Sequence, residues 1–254
     1  MAEHRFHTLG PVDLDLEIPV GEIQVETIDG DESFVSVTGN EKLVEHTQVR
    51  LDGNRLVVAL KGKKPFGITI SIGDFSFGTN GLNVAVRIPH SSAASLATAS
   101  ADMKLKGRYK TVGVKSASGD VAVTGEIEGD ATVKSVSGDV RLNLVGGDLR
   151  VQTVSGDVLA GAVGGSVESK TVSGDVHVDS VREGTVTAQS VSGDIELGVA
   201  PGTTLDVDAG SVSGDLSSEV PLGSDPGALA IEGGPTLVVR GKTVSGDFRV
   251  FRAA

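Results

Sequence analysis

The sequence contains no cysteine, no tryptophan and a single tyrosine, Tyr109, and aromatic residues make up only 3% of the chain. Without cysteine there is neither a disulfide framework nor thiol chemistry. Binding sites for sugars and nucleobases usually rely on stacked aromatic rings. The scarcity of aromatic residues therefore argues against such ligands, and it suits a narrow interior filled by small and β-branched side chains.

Long apolar runs are missing as well. No window approaches the roughly 18 apolar residues that a membrane-spanning helix needs. The first residues lack the basic start and the uninterrupted apolar stretch of a signal peptide. We therefore expect a cytoplasmic protein without an integral membrane segment.

Positive charge is scarce in one part of the chain. The net charge is −12, and residues 118–216 hold 16 Asp and Glu against 5 Lys and Arg. Most of the acidity thus belongs to this block. An acidic surface with few aromatic side chains repels phosphate backbones, so nucleic acid is excluded as a direct partner.

The acidic block is organised by one tripeptide, Ser-Gly-Asp, which occurs seven times. Its serines are Ser118, Ser137, Ser155, Ser173, Ser192, Ser213 and Ser245, at steps of 19, 18, 18, 19, 21 and 32 residues. Ser100-Ala101-Asp102 looks like a degenerate eighth copy. A period of 18–19 residues without a helical pattern predicts an all-β fold: a single-stranded parallel β-helix, or β-solenoid, with one such coil per repeat.

Within each repeat, apolar residues alternate with polar ones and predict the interior rows. We assign to the interior the residues six and four positions before each Ser, the Val directly before it, and alternate positions after the Asp. A row of hydroxyl residues precedes that Val and would break the alternation by one residue. We therefore predict a bend between the hydroxyl row and the Val, and a flattened or triangular cross-section.

The chain divides into two regions of one elongated unit. Residues 1–94 are predicted to form a β-rich N-terminal cap with early irregular coils. Residues 95–254 form the repeat solenoid, with an irregular insertion at 217–242. Phe248 and Phe251 follow the last Ser-Gly-Asp copy and are predicted to plug the C-terminal end.

Residues 61–81 fit neither the repeat nor the cap pattern. Basic residues and phenylalanines are concentrated here, and the candidate contact residues are Lys61, Lys63, Lys64, Phe66, Phe75 and Phe77. One interpretation is a protruding hairpin that docks on a protein partner or an anionic membrane surface. The other is an ordinary strand pair that closes the cap.

Stacking of the coils would align Asp120, Asp139, Asp157, Asp175, Asp194 and Asp215 at a spacing of about 5 Å. These carboxylates either accept hydrogen bonds from corner amides as structural caps, or form an acidic stripe for Ca²⁺ or a cationic peptide. The Ca²⁺-binding nonapeptide pattern is absent, which weakens the metal alternative.

Catalytic signatures are missing too. The five histidines show no zinc-ligand spacing, and no nucleophile elbow or P-loop occurs. We therefore predict no catalytic residue, no metal site and no cofactor. A carbohydrate-active β-helix enzyme is kept as a minor alternative.

Several segments resemble the DUF4097 family of bacterial adhesin-like β-strand-repeat proteins, with actinobacterial members the most similar. They are residues 18–23 (IPVGEI), 86–89 (VRIP), 97–102 (ATASAD) and the recurrent Val-Ser-Gly-Asp-Val. The resemblance covers essentially the whole chain. It implies a single-stranded parallel β-solenoid, and for function it implies little beyond an association of some members with cell-envelope stress.

These observations predict a non-enzymatic interaction or scaffold module whose acidic face binds a basic protein or peptide. Self-association is the alternative: coils stacked end to end into oligomers through residues 61–81 or through Phe248 and Phe251. A mimic of nucleic-acid charge is a third hypothesis.

Overall fold

A computed structural model describes residues 1–61, 81–220 and 235–253. Within these ranges the chain forms one short helix, α1 (Glu41–His46), and 21 strands. The strands are β1 (Ala2–His7), β2 (Asp13–Ile28), β3 (Glu32–Gly39), β4 (Thr47–Asp52), β5 (Arg55–Leu60), β6 (Leu82–Pro89), β7 (Ser92–Lys106), β8 (Arg108–Ser118), β9 (Val121–Ile127), β10 (Ala131–Lys134), β11 (Val140–Val145), β12 (Leu149–Gln152), β13 (Val158–Val163), β14 (Val167–Lys170), β15 (Val176–Val181), β16 (Gly184–Gln189), β17 (Ile195–Val199), β18 (Thr204–Ser213), β19 (Leu216–Ser218), β20 (Thr236–Ser245) and β21 (Phe248–Arg252).

The repeat region is a parallel β-solenoid, which confirms the predicted fold class. Each coil contributes one strand before the Ser-Gly-Asp corner and one after it. Strands before the corner pair in parallel with their counterparts one coil away, as β10 does with β8 and β12. Strands after the corner do the same, as β11 does with β9 and β13. Equivalent residues of successive repeats therefore lie in straight rows.

Antiparallel strands cover the N-terminal end of the stack. β2 pairs in parallel with β7 on one side and with β5 and β6 on the other, so β5 and β6 together form a further coil. On that coil β3 and β4 add antiparallel to β6 and β5, and β1 adds antiparallel to β3. Residues 61–81 connect the two strands of this coil, and of them only Lys61 and Gly81 are described.

The C-terminal coils are not stacked in chain order. β20 lies between β16 and β18, and β21 lies between β17 and β19. The last repeat along the chain is therefore inserted into the stack, and the preceding repeat, β18 with β19, forms its end. The predicted terminal plug is wrong: Phe248 is only 2% exposed inside the stack, and Phe251 stacks on His177 with ring centroids 5.6 Å apart.

The interior is filled by short aliphatic rows, as the alternation predicts. The positions six and four residues before each Ser are buried between residues 112 and 188, and so are the first apolar residues after each Asp. Each Val-sized side chain removed from water contributes about 1.5 to 3 kcal/mol. Tyr109 is fully buried among them, and its hydroxyl donates to the backbone oxygen of Val25.

The valines directly before each Ser lie outside, where the interior was predicted. Val136 is 50% exposed, whereas its neighbour Ser135 is only 7% exposed. The strand keeps its alternation up to the corner, so the hydroxyl side chain points inward and the valine outward. No bend occurs between them.

The third bend lies after the Asp instead. Asn143 and Leu144 are both exposed between buried Leu142 and Val145, and the pairing of β11 with β9 shifts at this point. Two consecutive outward residues break the alternation here. A third bend exists, as predicted, but its predicted position between the hydroxyl row and the Val was wrong.

Candidate functional site

The row of Ser-Gly-Asp corners, called here the Ser-Gly-Asp edge, runs along one side of the solenoid. Its serines bridge in parallel from coil to coil, for example Ser137 to Ser155 and Ser192 to Ser245. The glycines have φ values between +108° and +158°. A Cβ atom on Gly156 would lie 2.3 Å from the backbone oxygen of Gly138. The edge thus requires glycine for both its backbone angle and its close stacking.

The aspartates of this edge form a continuous hydrogen-bonded ladder. In seven successive coils the Oδ1 atom accepts the backbone N–H of the Asp in the next coil, at 2.8 to 3.1 Å, and Asp215 ends the row as a donor. The aspartate ladder consists, in stacking order, of Asp102, Asp120, Asp139, Asp157, Asp175, Asp194, Asp247 and Asp215. It contains all six predicted residues, together with Asp102 of the degenerate copy and Asp247 of the inserted coil.

The ladder differs in detail from the turn caps that the sequence suggested. Each carboxylate bonds to the neighbouring coil instead of its own corner, so the bonds tie the coils together. One oxygen of each carboxylate is used in this way, and a carboxylate offers a second. In Asp139 the second oxygen accepts from Arg141 Nη2 at 2.8 Å.

No metal centre is visible along the ladder in the part of the chain that the structure describes. Within residues 1–61, 81–220 and 235–253, no three side chains of the metal-ligating types converge on one point. Ladder neighbours are one coil apart, about 4.8 Å, and each already accepts a backbone amide. The Ca²⁺ site stays a prediction without structural support.

A second ladder, which the sequence analysis missed, lies at another corner of the coils, where the chain is rich in glycine at residues 129–130, 146–148 and 164–166. Asp130 Oδ1 accepts the N–H of Asp148, and Asp148 Oδ1 accepts the N–H of Ser166. Ser166 Oγ continues the row by accepting from the N–H of Thr185. The Gly-Asp and Gly-Gly-Asp segments that recur at the repeat period could have indicated this second ladder.

The hydroxyl side chains that point inward form hydrogen bonds with the backbone of the Ser-Gly-Asp corner. Ser116, Ser135 and Thr153 donate their hydroxyls to the backbone oxygens of Ser118, Ser137 and Ser155. In later coils the hydroxyl oxygens of Thr171, Ser190 and Thr243 are buried and have no hydrogen-bond partner among the described residues. The hydroxyl groups of this row are therefore all hydrogen-bonded in the first half of the solenoid and only partly so in the second half.

A row of exposed apolar side chains runs beside the Ser-Gly-Asp edge. We call this row the valine strip; in stacking order it consists of Pro19, Ala99, Ala117, Val136, Val154, Val172, Val191, Val244 and Val212. The five valines from Val136 to Val244 are about half exposed, and Val212 at the end of the stack is 82% exposed. The sequence analysis assigned these valines to the core because it placed the bend wrongly.

The predicted contact segment can be located only at its start. Lys61 is exposed at the end of β5, and its Nζ donates to the backbone oxygen of Glu45 at 3.4 Å. Lys63, Lys64, Phe66, Phe75 and Phe77 lie outside the described residues.

Groups with shifted pKa values are scattered and have local causes. Hydrogen bonding to Lys104 lowers the pKa of Glu22, and hydrogen bonds from Lys170 and Arg150 lower the pKa of Glu168. Burial raises the pKa of Tyr109. These groups do not converge on one pocket, as those of a catalytic site usually do.

The match to a family covers the solenoid and most of its cap. The profile of Toastrack DUF4097 matches residues 14–251. The chain belongs to this family. The predicted resemblance is thereby confirmed, and the described residues of this DUF4097 chain contain no helix long and apolar enough to cross a membrane.

Solved structures with the same fold come from Bacteroides fragilis and Parabacteroides distasonis. One, from Bacteroides fragilis, is provisionally described as an adhesin; it is 17% identical, with a TM-score of 0.56 over 98% of this chain and 96% of its own. Another, from Parabacteroides distasonis and described in the same way, is 14% identical, with a TM-score of 0.53 over the same shares. At such identities the likeness shows the fold alone. No curated protein matches the sequence.

Proposed function

We propose that this DUF4097 chain is a non-enzymatic interaction module that binds a basic protein or peptide through the acidic face of its solenoid. The observation that carries the proposal is the aspartate ladder. Its hydrogen bonds hold a row of carboxylates at regular spacing. A ligand that binds such a row loses little free energy to ordering of the protein.

Charge supports the same assignment. Residues 118–216 hold 16 acidic residues against 5 basic ones, and a surface of one sign accelerates the approach of an oppositely charged partner. The adhesin descriptions of two structural neighbours are compatible with a binding role. The scattered positions of Glu22, Glu168 and Tyr109 support the absence of catalysis, since acid–base chemistry needs such groups together.

Calorimetric titration with an oligolysine peptide tests the proposal, with oligoglutamate as the control. We expect binding of oligolysine that weakens as salt is added, because exposed charges are screened. Oligoglutamate should not bind. Absence of oligolysine binding at low ionic strength would overturn the proposal.

A further inference from the structure

The valine strip is an apolar surface that the proposed function leaves unused. Its nine residues span about 38 Å at the coil spacing of about 4.8 Å. Together with the row of polar and charged side chains on either side, the strip forms a surface of roughly 700 Å², close to the area that each partner buries in a standard interface of about 800 Å².

The two borders of the strip carry opposite charges. On the strand side, two residues before the strip, lies a row that has lysine at four of its nine levels; in stacking order it consists of Glu17, Ala97, Lys115, Lys134, Gln152, Lys170, Gln189, Lys242 and Gly210. Of these, Lys170 also pairs with Glu168 at 2.8 Å. On the corner side lie the exposed serines of the Ser-Gly-Asp edge and, across the corner, the aspartate ladder. A surface that fits the strip must therefore be apolar in the middle, acidic opposite the lysines and basic opposite the aspartates.

A second copy of the chain has this pattern in one orientation. If two strips face each other with their rods parallel, a two-fold axis along the rods brings the lysine row of each copy opposite the aspartate ladder of the other. If the rods are antiparallel, lysines face lysines and aspartates face aspartates. We propose that the valine strip is the interface of a parallel homodimer related by such an axis.

An anionic membrane fits the valine strip less well than a second copy of the chain does. An anionic membrane would be repelled by the ladder, which borders the strip along its length. In the dimer each residue of the strip faces the same residue of the other copy. Four aspartates of the ladder therefore face no lysine: Asp102, Asp157, Asp194 and Asp215 lie opposite Ala97, Gln152, Gln189 and Gly210. These four aspartates stay available to a basic ligand, and the dimer is compatible with the proposed function.

Mass measurement by light scattering over a range of concentrations gives the first test. We expect wild type to be a dimer, and the pair of substitutions Val154→Lys and Val172→Lys to weaken dimerisation about tenfold or more. The matched control carries Leu144→Lys and Leu159→Lys, two exposed leucines away from the strip, and should stay dimeric. A monomeric wild type, or equal loss in the control, would overturn the proposal. Thermal unfolding of each variant separates loss of the interface from loss of the fold.

Single-cysteine variants then test the orientation, since the natural chain has no cysteine. Ala117→Cys and Val244→Cys lie on opposite sides of the middle of the strip. In the parallel dimer both should form disulfide-linked dimers with their own copies on mild oxidation, and Leu159→Cys should not. An antiparallel dimer would link neither variant to itself, and that result would also overturn the proposal.

Discussion

The Oδ1 atom of Asp157 accepts the backbone N–H of Asp175 at 3.0 Å, although the two residues lie 18 positions apart in the chain. Repeated from coil to coil, this bond aligns like charges at a distance where they repel by about 1 kcal/mol in water. The hydrogen bond to a charged acceptor contributes about 1.5 to 3 kcal/mol and offsets the repulsion. The row of negative charges is thus stabilised because the backbone N–H of each coil donates a hydrogen bond to a carboxylate of the neighbouring coil.

Substitution of one ladder residue should separate the hydrogen bond from the charge. Asp157→Ala removes the acceptor of the Asp175 amide and should destabilise the protein by about 1 kcal/mol, less than the hydrogen bond itself contributes, because the site is exposed and the substitution also relieves repulsion. Asp157→Asn keeps an oxygen at the same place and relieves repulsion, so it should cost less. Urea unfolding measures both. Equal loss in the two variants would show that charge, and not the acceptor, matters at this position.

The corner glycines should tolerate no side chain. Gly156→Ala forces a Cβ atom to within 2.3 Å of the Gly138 oxygen at a φ of +122°, and we expect a loss of about 3 kcal/mol or more. The matched control is Gly113→Ala, whose Cβ would lie 3.6 Å from Ser95 Oγ in strand geometry. It should be neutral or slightly stabilising. Thermal unfolding of the two variants should differ clearly, and similar midpoints would contradict the stacked corner.

The hydroxyl row offers two nearly isosteric substitutions with opposite expected signs. Thr153 donates to the Ser155 oxygen at 3.2 Å, so Thr153→Val should cost about 1 kcal/mol. Thr171 Oγ1 is buried without a hydrogen-bond partner in the part of the chain that the structure describes, so Thr171→Val should be neutral or stabilising by up to about 1 kcal/mol. Denaturant midpoints provide the comparison. Equal destabilisation by both substitutions would mean that Thr171 has a partner in solution.

The order of the C-terminal coils can be checked by disulfide formation within one chain. Ser192 bridges Ser245, so Val191 and Val244 occupy neighbouring levels of the stack, about 4.8 Å apart. The variant with Val191→Cys and Val244→Cys should form an intramolecular disulfide, because bonded cysteines have Cα atoms 4.4 to 6.8 Å apart. The pair Val191→Cys and Val212→Cys lies two levels apart and should not. Peptide mapping distinguishes the results, and the reverse outcome would restore chain order.

The repeat period alone predicts the coil and the aspartate ladder, because equivalent residues of a solenoid must stack. It does not reveal the order of coils: the sequences around Ser213 and Ser245 carry the same motif, and the strand pairings of the structure place the coil of Phe248 between its two neighbours. The orientation of Val136 was predicted wrongly for another reason. Hydrophobicity favours an interior position for the valine, whereas strand alternation places Ser135 in the interior. The hydrogen bond of the Ser135 hydroxyl to the Ser137 oxygen stabilises the second arrangement.

The central claim is that the aspartate ladder binds a basic ligand by its charge and not merely through an intact fold. The decisive measurement is oligolysine affinity of the double variant Asp157→Asn and Asp194→Asn, which lie opposite glutamines in the dimer and whose side chains can still accept the ladder amides. A matched control with Asp130→Asn and Asp148→Asn neutralises two charges in the second ladder. We expect the double variant to unfold like wild type and to bind oligolysine at least about tenfold more weakly, with the control little changed. Unchanged affinity in the stably folded double variant would contradict the account.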